Sequence, residues 1–205
     1  DGNGGGIKCY YSSPSIKNCL IMNNEATEGG GIKAENSSPA ITNCTISGNT
    51  ATGNGGGVCC PNSSPSIMNC MISGNTANNG GGLFIYISSA DINNSTITNN
   101  TSINGSGGGI SIMDDSELTI TNSTISNNTS STNGGGVYSE NSNTNFANVS
   151  IIGNDSEIHG GGAYFKNDST QLNNVIVSNN TCNIGDGGGI QFHGVDGFLS
   201  NVLIS

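Results

Sequence analysis

The sequence predicts an all-β fold, a right-handed parallel β-helix of about eight coils with about 26 residues in each coil. Two observations lead to this prediction. Glycine triplets recur along the whole 205-residue chain, and each repeat also carries a block in which apolar and polar residues alternate. Alternation is the pattern of strands with one buried face, whereas helical periodicity is absent. We therefore expect one domain over residues 1–205.

The glycine triplets set the length of the repeat. Successive triplets are 25, 26, 25, 27, 27, 26 and 27 residues apart, and each is followed by an apolar residue. Glycine supplies a positive φ and allows close approach of two backbones, so the triplets are expected to form one corner of every coil. The triplets begin at Gly4, Gly29, Gly55, Gly80, Gly107, Gly134, Gly160 and Gly187.

A single repeat cannot bury its own apolar face, so the repeats must stack. Stacking at about 4.8 Å turns equivalent residues into columns that run along the solenoid. Three columns are predicted to point inward, headed by Ile16, Cys19 and Ile21. The Cys19 column continues through Cys44 and Cys70 to Ser95, so we expect these cysteines to be buried thiols rather than disulfides.

Two further columns consist of asparagine, which tolerates the backbone conformation of corners and can bond to a neighbouring coil. One runs from Asn18 through Asn122 to Asn201, and the other from Asn24 through Asn100 to Asn180. Both are predicted to be structural. Asn122 in particular is predicted to be buried and bonded to backbone.

Composition excludes several classes of partner. The net charge is −10 and the basic residues are four lysines with no arginine. Nucleic acid and anionic membrane surfaces are therefore not expected to bind, because both need basic clusters. No apolar run is long enough for a transmembrane segment. The repeat pattern runs up to both termini without caps, so we expect a segment of a longer protein or end-to-end self-association.

The repeat resembles that of the chlamydial polymorphic outer membrane proteins, written GG[AILV] with FxxN. The glycine triplet with its following apolar residue matches the first motif, and Ile46-Ser47-Gly48-Asn49 and Ile72-Ser73-Gly74-Asn75 match the second with isoleucine in place of phenylalanine. The resemblance covers the whole chain. It implies a parallel β-helix that is secreted or exposed at the cell surface, often with an adhesive role.

One group of side chains has the composition of a sugar-binding face. Aligning the repeats puts Met113, Glu140, Lys166 and His193 in one column, with Asp168 beside it. Tyr138 and Tyr164 lie two positions earlier in their repeats. Aromatic rings provide flat platforms for sugars, and carboxylates accept hydrogen bonds from hydroxyls. The alternative interpretation is an ordinary solvated surface. Sparse acids before the triplets, such as Asp155, Glu157 and Asp186, are weak candidates for calcium.

Two functions remain open at this point. The first is a non-catalytic extracellular or cell-surface protein, such as an adhesin, stalk, fibre or surface-layer element, with glycans or surface receptors as partners. The second is a carbohydrate-binding or carbohydrate-degrading β-helix with a face around Glu140. Enzymes of this fold usually carry long loops that wall a cleft, and here the repeat length varies by only two residues. We therefore expect no catalytic residues, no metal site and no cofactor.

Overall fold

The computed structural model describes residues 4–205 and confirms the predicted β-helix. Its strands form three sheets, and every strand pairs in parallel with the equivalent strand of the next coil. Within residues 4–205 there is no helix, and thus none that is long and apolar enough to cross a membrane.

The first sheet follows the glycine triplets and has eight strands, one from each coil. In each strand the first and third side chains point into the interior, as Ile110 and Ile112 do, and the second and fourth point outward. The strands are Ile7–Tyr10, Ile32–Glu35, Val58–Pro61, Leu83–Tyr86, Ile110–Met113, Val137–Glu140, Ala163–Lys166 and Ile190–His193.

The second sheet has 13 strands, because the first five coils each contribute two short strands and the last three contribute one long strand. The short strands are Ser15–Lys17, Leu20–Met22, Ala40–Thr42, Thr45–Ser47, Ser66–Met68, Met71–Ser73, Ser89–Asn93, Thr96–Thr98, Glu117–Thr121 and Thr124–Ser126. The long strands are Asn143–Ile152, Ser169–Ser178 and Asp196–Ile204.

The residue between the two short strands of a coil explains why the strand of the second sheet is split in some coils and continuous in others. In the Cys19 column, a cysteine or serine side chain replaces the backbone carbonyl as the acceptor of the N–H from the preceding coil. Cys44 N–H donates to Sγ of Cys70 at 3.5 Å, and Cys70 N–H donates to Oγ of Ser95 at 3.1 Å. Where the column holds valine, no side-chain acceptor exists. Val149 and Val175 therefore pair through their backbones, and the strand runs through.

The third sheet has seven short strands that complete the coils before the next glycine triplet. The strands are Glu25–Ala26, Thr50–Ala51, Thr76–Ala77, Thr101–Ser102, Thr129–Ser130, Asp155–Ser156 and Thr181–Cys182.

The glycine triplets work as the sequence predicts, with different demands on each glycine. The first glycine of every triplet has a positive φ, for example +61° at Gly80. The second and third are held between coils: a Cβ on Gly81 would lie 2.5 Å from the carbonyl oxygen of Thr101 and 2.6 Å from that of Gly108. The corner therefore closes only where side chains are absent.

The three predicted inward columns form the core together with the inward side chains of the first sheet. Their members are buried over most of the length, and Phe146 and Phe165 are its largest fully buried side chains. In the last coil these columns become accessible, so Leu199 and Ile204 are 42% and 52% exposed. All seven cysteines are free thiols. Cys44 and Cys70 are inward and buried as predicted, whereas Cys19 packs against the core but is only half-buried.

The prediction for Asn122 is wrong: this residue is exposed, and its Oδ1 accepts a hydrogen bond from Nδ2 of Asn148 at 3.1 Å on the surface. Its column occupies the left-handed backbone region, with φ of +50° at Asn122, and the side chains project outward from that turn. The buried asparagine column is the other one. From Asn49 to Asn154 its members are fully buried, and the Nδ2 of Asn100 donates to the backbone oxygen of Ile72 at 3.0 Å.

Candidate functional site

The predicted column around Glu140 exists in the first sheet. Met113 pairs with Glu140, Glu140 with Lys166, and Lys166 with His193, in successive coils. All four side chains occupy the fourth, outward position of their strands. The parallel, in-register stacking of coils of similar length is what brings these residues together from four successive repeats.

Glu140 is held by two neighbours on this outer face. Lys166 Nζ donates to its Oε1 at 2.6 Å, and Tyr138 Oη donates to its Oε2 at 2.5 Å. These hydrogen bonds hold the pKa of Glu140 below its ordinary value, although burial opposes them. The hydrogen bond from Lys166 has the largest effect. Glu140 is thus an ionised acceptor whose two oxygens are both engaged, and it is poorly suited to donate a proton.

The two tyrosine rings do not form an open platform. Tyr138 and Tyr164 stack on each other with centroids 5.8 Å apart, and His159 stacks on Tyr164 at 5.7 Å. The tyrosines are only 7% and 6% exposed. Their outward position is as predicted, but neighbouring rings occupy their faces, so these faces are closed to a sugar.

Asp168 lies apart from the Glu140 column, in the interior between the first and second sheets. It is 4% exposed, and Ser139 Oγ donates a short hydrogen bond to its Oδ2. Its Oδ1 is buried without a hydrogen-bond partner. Burial raises the pKa of Asp168 to about 6, against the opposing effect of contacts with Ser139, Thr170, the backbone of Ser169 and Thr144.

The interior around Asp168 is unusually polar, and sequence analysis missed its other members. Ser139 replaces Ile112 of the preceding coil, and Thr144 replaces Leu118, with Thr170 next in the same column. Thr144 Oγ1 donates to Thr170 Oγ1 at 3.2 Å. Comparison of the inward columns residue by residue would have revealed these changes, because hydroxyls enter one apolar column in the sixth coil and another in the sixth and seventh coils.

A shallow groove runs along the corner between the first and second sheets, and we call it the corner groove. Its larger part has a volume of about 720 Å³ in the last four coils, and a second part of about 500 Å³ continues toward the first coil. The lining of the larger part is polar throughout and includes Asp115, Glu117, Asn143, Ser169 and Asp196. Such hydroxyls, amides and carboxylates can bind hydroxyl groups of a ligand.

A second charged group lies in the early coils and was also missed. Lys33 is 4% exposed, and its Nζ lies 2.8 Å from Glu28 Oε2 and 3.4 Å from Glu35 Oε2. Burial lowers the pKa of Lys33, but the hydrogen bond and negative charge of Glu28, together with Glu35, raise it overall. Lys33 is therefore a structural cation that joins the loop before the triplet to the first sheet.

The remaining candidates do not assemble into a metal site or a reactive thiol. Asp155 accepts a hydrogen bond from Thr181 at 2.5 Å, and Glu157 accepts one from Asn183 at 3.1 Å. Across residues 4–205, no group of three or more His, Cys, Asp or Glu is arranged to hold a metal ion. Burial raises the pKa of Cys59 to about 12, which disfavours a nucleophilic thiolate.

Comparison with known proteins gives one match. The sequence profile described as "Right handed beta helix region" matches residues 1–77 and 57–205, which together span the chain. No curated protein and no solved structure gave a match. The profile agrees with the three parallel sheets and with the repeat of the glycine triplets. This chain belongs to the right-handed β-helix family.

Proposed function

We propose that this chain is a non-catalytic β-helix of the extracellular space or the cell surface, with a structural or adhesive role. The observation that carries the proposal is its regularity. Successive triplets are 25 to 27 residues apart, and over residues 4–205 each coil hydrogen-bonds in register to the next. Such a chain forms a stiff rod, whereas enzymes of this fold need insertions that wall a cleft.

The two carboxylates of the predicted sugar-binding face, Glu140 and Asp168, support the same proposal. Hydrolysis of glycosides commonly needs two carboxyl groups that face a common space on either side of the bond. Glu140 points outward and is bound by Lys166 and Tyr138, while Asp168 points inward against Ser139. Glu140 lies on the outer face of the first sheet and Asp168 at the corner with its side chain bound to Ser139, so these two acids do not form such a pair.

The proposal is tested with the purified chain in two assays. Incubation with neutral and acidic polysaccharides is expected to release no reducing ends and no unsaturated products. Beads coated with the chain are expected to adhere to host or microbial surfaces more strongly than beads coated with albumin. If the role is structural, the coated beads are instead expected to form stiffer linkages than the albumin beads. If the chain turned over any polysaccharide, and the Glu140→Gln substitution abolished that activity, the non-catalytic assignment would be overturned.

Carbohydrate binding without catalysis is the second candidate, and the corner groove favours it. The groove offers hydroxyls, amides and carboxylates on several successive coils, and no lysine, arginine or histidine lines its larger part. Such a lining favours neutral over acidic glycans, because carboxylates repel anionic sugars. The closed tyrosine faces make this groove a better candidate than the face around Glu140.

A glycan array tests this second candidate. Binding of a neutral glycan is expected to weaken in Asn143→Ala and Glu117→Gln, which both alter exposed groove residues. The matched control is Thr98→Ala, on the outer face of the second sheet and outside the groove lining. No binding to any glycan, or equal loss in the control, would remove the groove as a binding site.

A further inference from the structure

Four buried side chains form a group that we call the Asp168 cluster, of which only Asp168 also lines the corner groove: Ser139, Thr144, Asp168 and Thr170. They come from the first sheet, the second sheet and the corner between them, in the sixth and seventh coils. All four are buried, with exposures of 0%, 2%, 4% and 0%. The rest of the interior consists mainly of apolar side chains, the buried asparagine column and columns of buried serine.

The position of Asp168 is that of a serine in the preceding coils. In these coils the corner residue in the left-handed region is followed by a buried serine. The serine hydroxyl accepts a hydrogen bond from a backbone N–H of the preceding coil and donates one to a backbone carbonyl oxygen in its own coil. Ser88, for example, accepts from Ser63 N–H at 2.8 Å and donates to the oxygen of Tyr86 at 2.7 Å. The column reads Ser37, Ser63, Ser88, Ser116 and Ser142 before Asp168. An acid has replaced a neutral hydroxyl at a buried site.

The surroundings of Asp168 suit a neutral carboxyl better than a carboxylate. Burying a charge is costly unless it is paired and hydrogen-bonded. Ser139 donates a hydrogen bond to Oδ2 of Asp168, but Oδ1 is buried without a hydrogen-bond partner. A proton on Oδ1 removes the charge and leaves the acceptor role of Oδ2 intact.

The charged groups on the surrounding elements do not neutralise Asp168. On the first sheet, Glu140 and Lys166 pair with each other at 2.6 Å on the outer face, and His193 is exposed on the same face. Around the corner, Asp115, Glu117 and Asp196 line the groove and are all acidic. These elements therefore offer Asp168 no positive charge that would offset the cost of burying its carboxylate.

We propose that the Asp168 cluster is a proton-operated lock: a protonated Asp168 holds the sixth and seventh coils together in mildly acidic surroundings, and loss of the proton loosens them. The folded-state pKa, about 6, lies above the ordinary value of 3.8. The folded chain thus binds more protons than the unfolded chain between these values. The stabilising contribution is complete below about pH 3.8 and is lost as the pH rises through about 6.

Asp168→Ser tests the lock, because it restores the residue of the five preceding coils and should fold. Thermal unfolding of both proteins is measured from pH 4 to pH 8. As the pH rises through about 6, the melting temperature of the natural chain is expected to fall relative to that of the variant. Over this pH range the ratio of folded to unfolded natural chain, relative to that of the variant, should fall by at most roughly a hundredfold. The exposed Asp196→Ser, one coil away, is the matched control and should keep the natural profile.

Hydrogen exchange locates the effect. Backbone amides of Asn143–Ile152 and Ser169–Ser178 are expected to exchange faster in the natural chain than in Asp168→Ser at pH 7.5, and equally at pH 4.5. Amides of the first three coils should not differ. Identical pH profiles for the natural chain and Asp168→Ser, or a difference spread evenly over all coils, would overturn the proposal.

Discussion

Asn75 donates both its backbone N–H and its side-chain Nδ2 to the same oxygen, Oδ1 of Asn100, at 3.0 and 2.9 Å. Asn100 repeats the arrangement with Asn128, at 3.0 and 3.0 Å. The side-chain amide at each interior position therefore has all its donors and acceptors engaged inside the protein. This satisfied column lets polar side chains pass through an apolar interior without the cost of unpaired groups.

Asn100→Ala is expected to lower the free energy of unfolding by about 3 kcal/mol or more, because it strands two buried donors of Asn75 and the oxygen of Ile72. Denaturant unfolding measures the change. The control is Asn122→Gly in the exposed column, where glycine accepts the φ of +50°, and its effect should be small. Equal losses in both variants would show that the two columns do not differ in burial or bonding. Asn122→Ala should cost about 1 kcal/mol through backbone strain alone.

Gly81→Ala is expected to cost about 3 kcal/mol or more, or to prevent folding, since its Cβ would collide with the carbonyl oxygens of Thr101 and Gly108. Gly74→Asn is the matched control. Gly74 has a φ of +64° with open space around its Cβ position, and asparagine occupies the same column at Asn99. Its melting temperature should match that of the natural chain. A stable Gly81→Ala protein would contradict the close packing of the triplets.

Cys70→Ser is expected to change stability by less than about 1 kcal/mol, because serine already occupies the next place in the column at Ser95. Cys70→Val should cost about 1 to 3 kcal/mol, since valine offers no acceptor for the N–H of Cys44. Chemical denaturation with and without reductant completes the test. A large loss on reduction would reveal a disulfide in this column.

Glu140→Gln is expected to lower the pKa of Tyr138. Burial is the largest cause that raises the pKa of this phenol, and the hydrogen bond and charge of Glu140 add to it. Removal of the charge should therefore let Tyr138 ionise at lower pH, though still above its ordinary value. Ultraviolet titration of tyrosinate measures this, with Tyr138→Phe identifying the signal among five tyrosines. An unchanged titration curve would mean that the two side chains do not interact in solution.

The sequence alone determined the architecture of this protein. The period of the glycine triplets and the alternation after Ile16 and Ile41 predicted the coils, their register and the inward columns, because stacked repeats must align equivalent residues. The column of Met113, Glu140, Lys166 and His193 followed from the same alignment and is present.

Only the tertiary structure decided which side of each corner a side chain occupies. Asn122 and Asn128 are both asparagines of regular columns, yet the first is exposed in a left-handed turn and the second is buried. Asp168 similarly lies beside the Glu140 column in sequence alignment but turns inward to Ser139. Repeat spacing fixes which residues stack, whereas the local φ fixes the direction in which they point. Asparagine occupies both the left-handed and the buried column, so residue type alone does not distinguish the two directions.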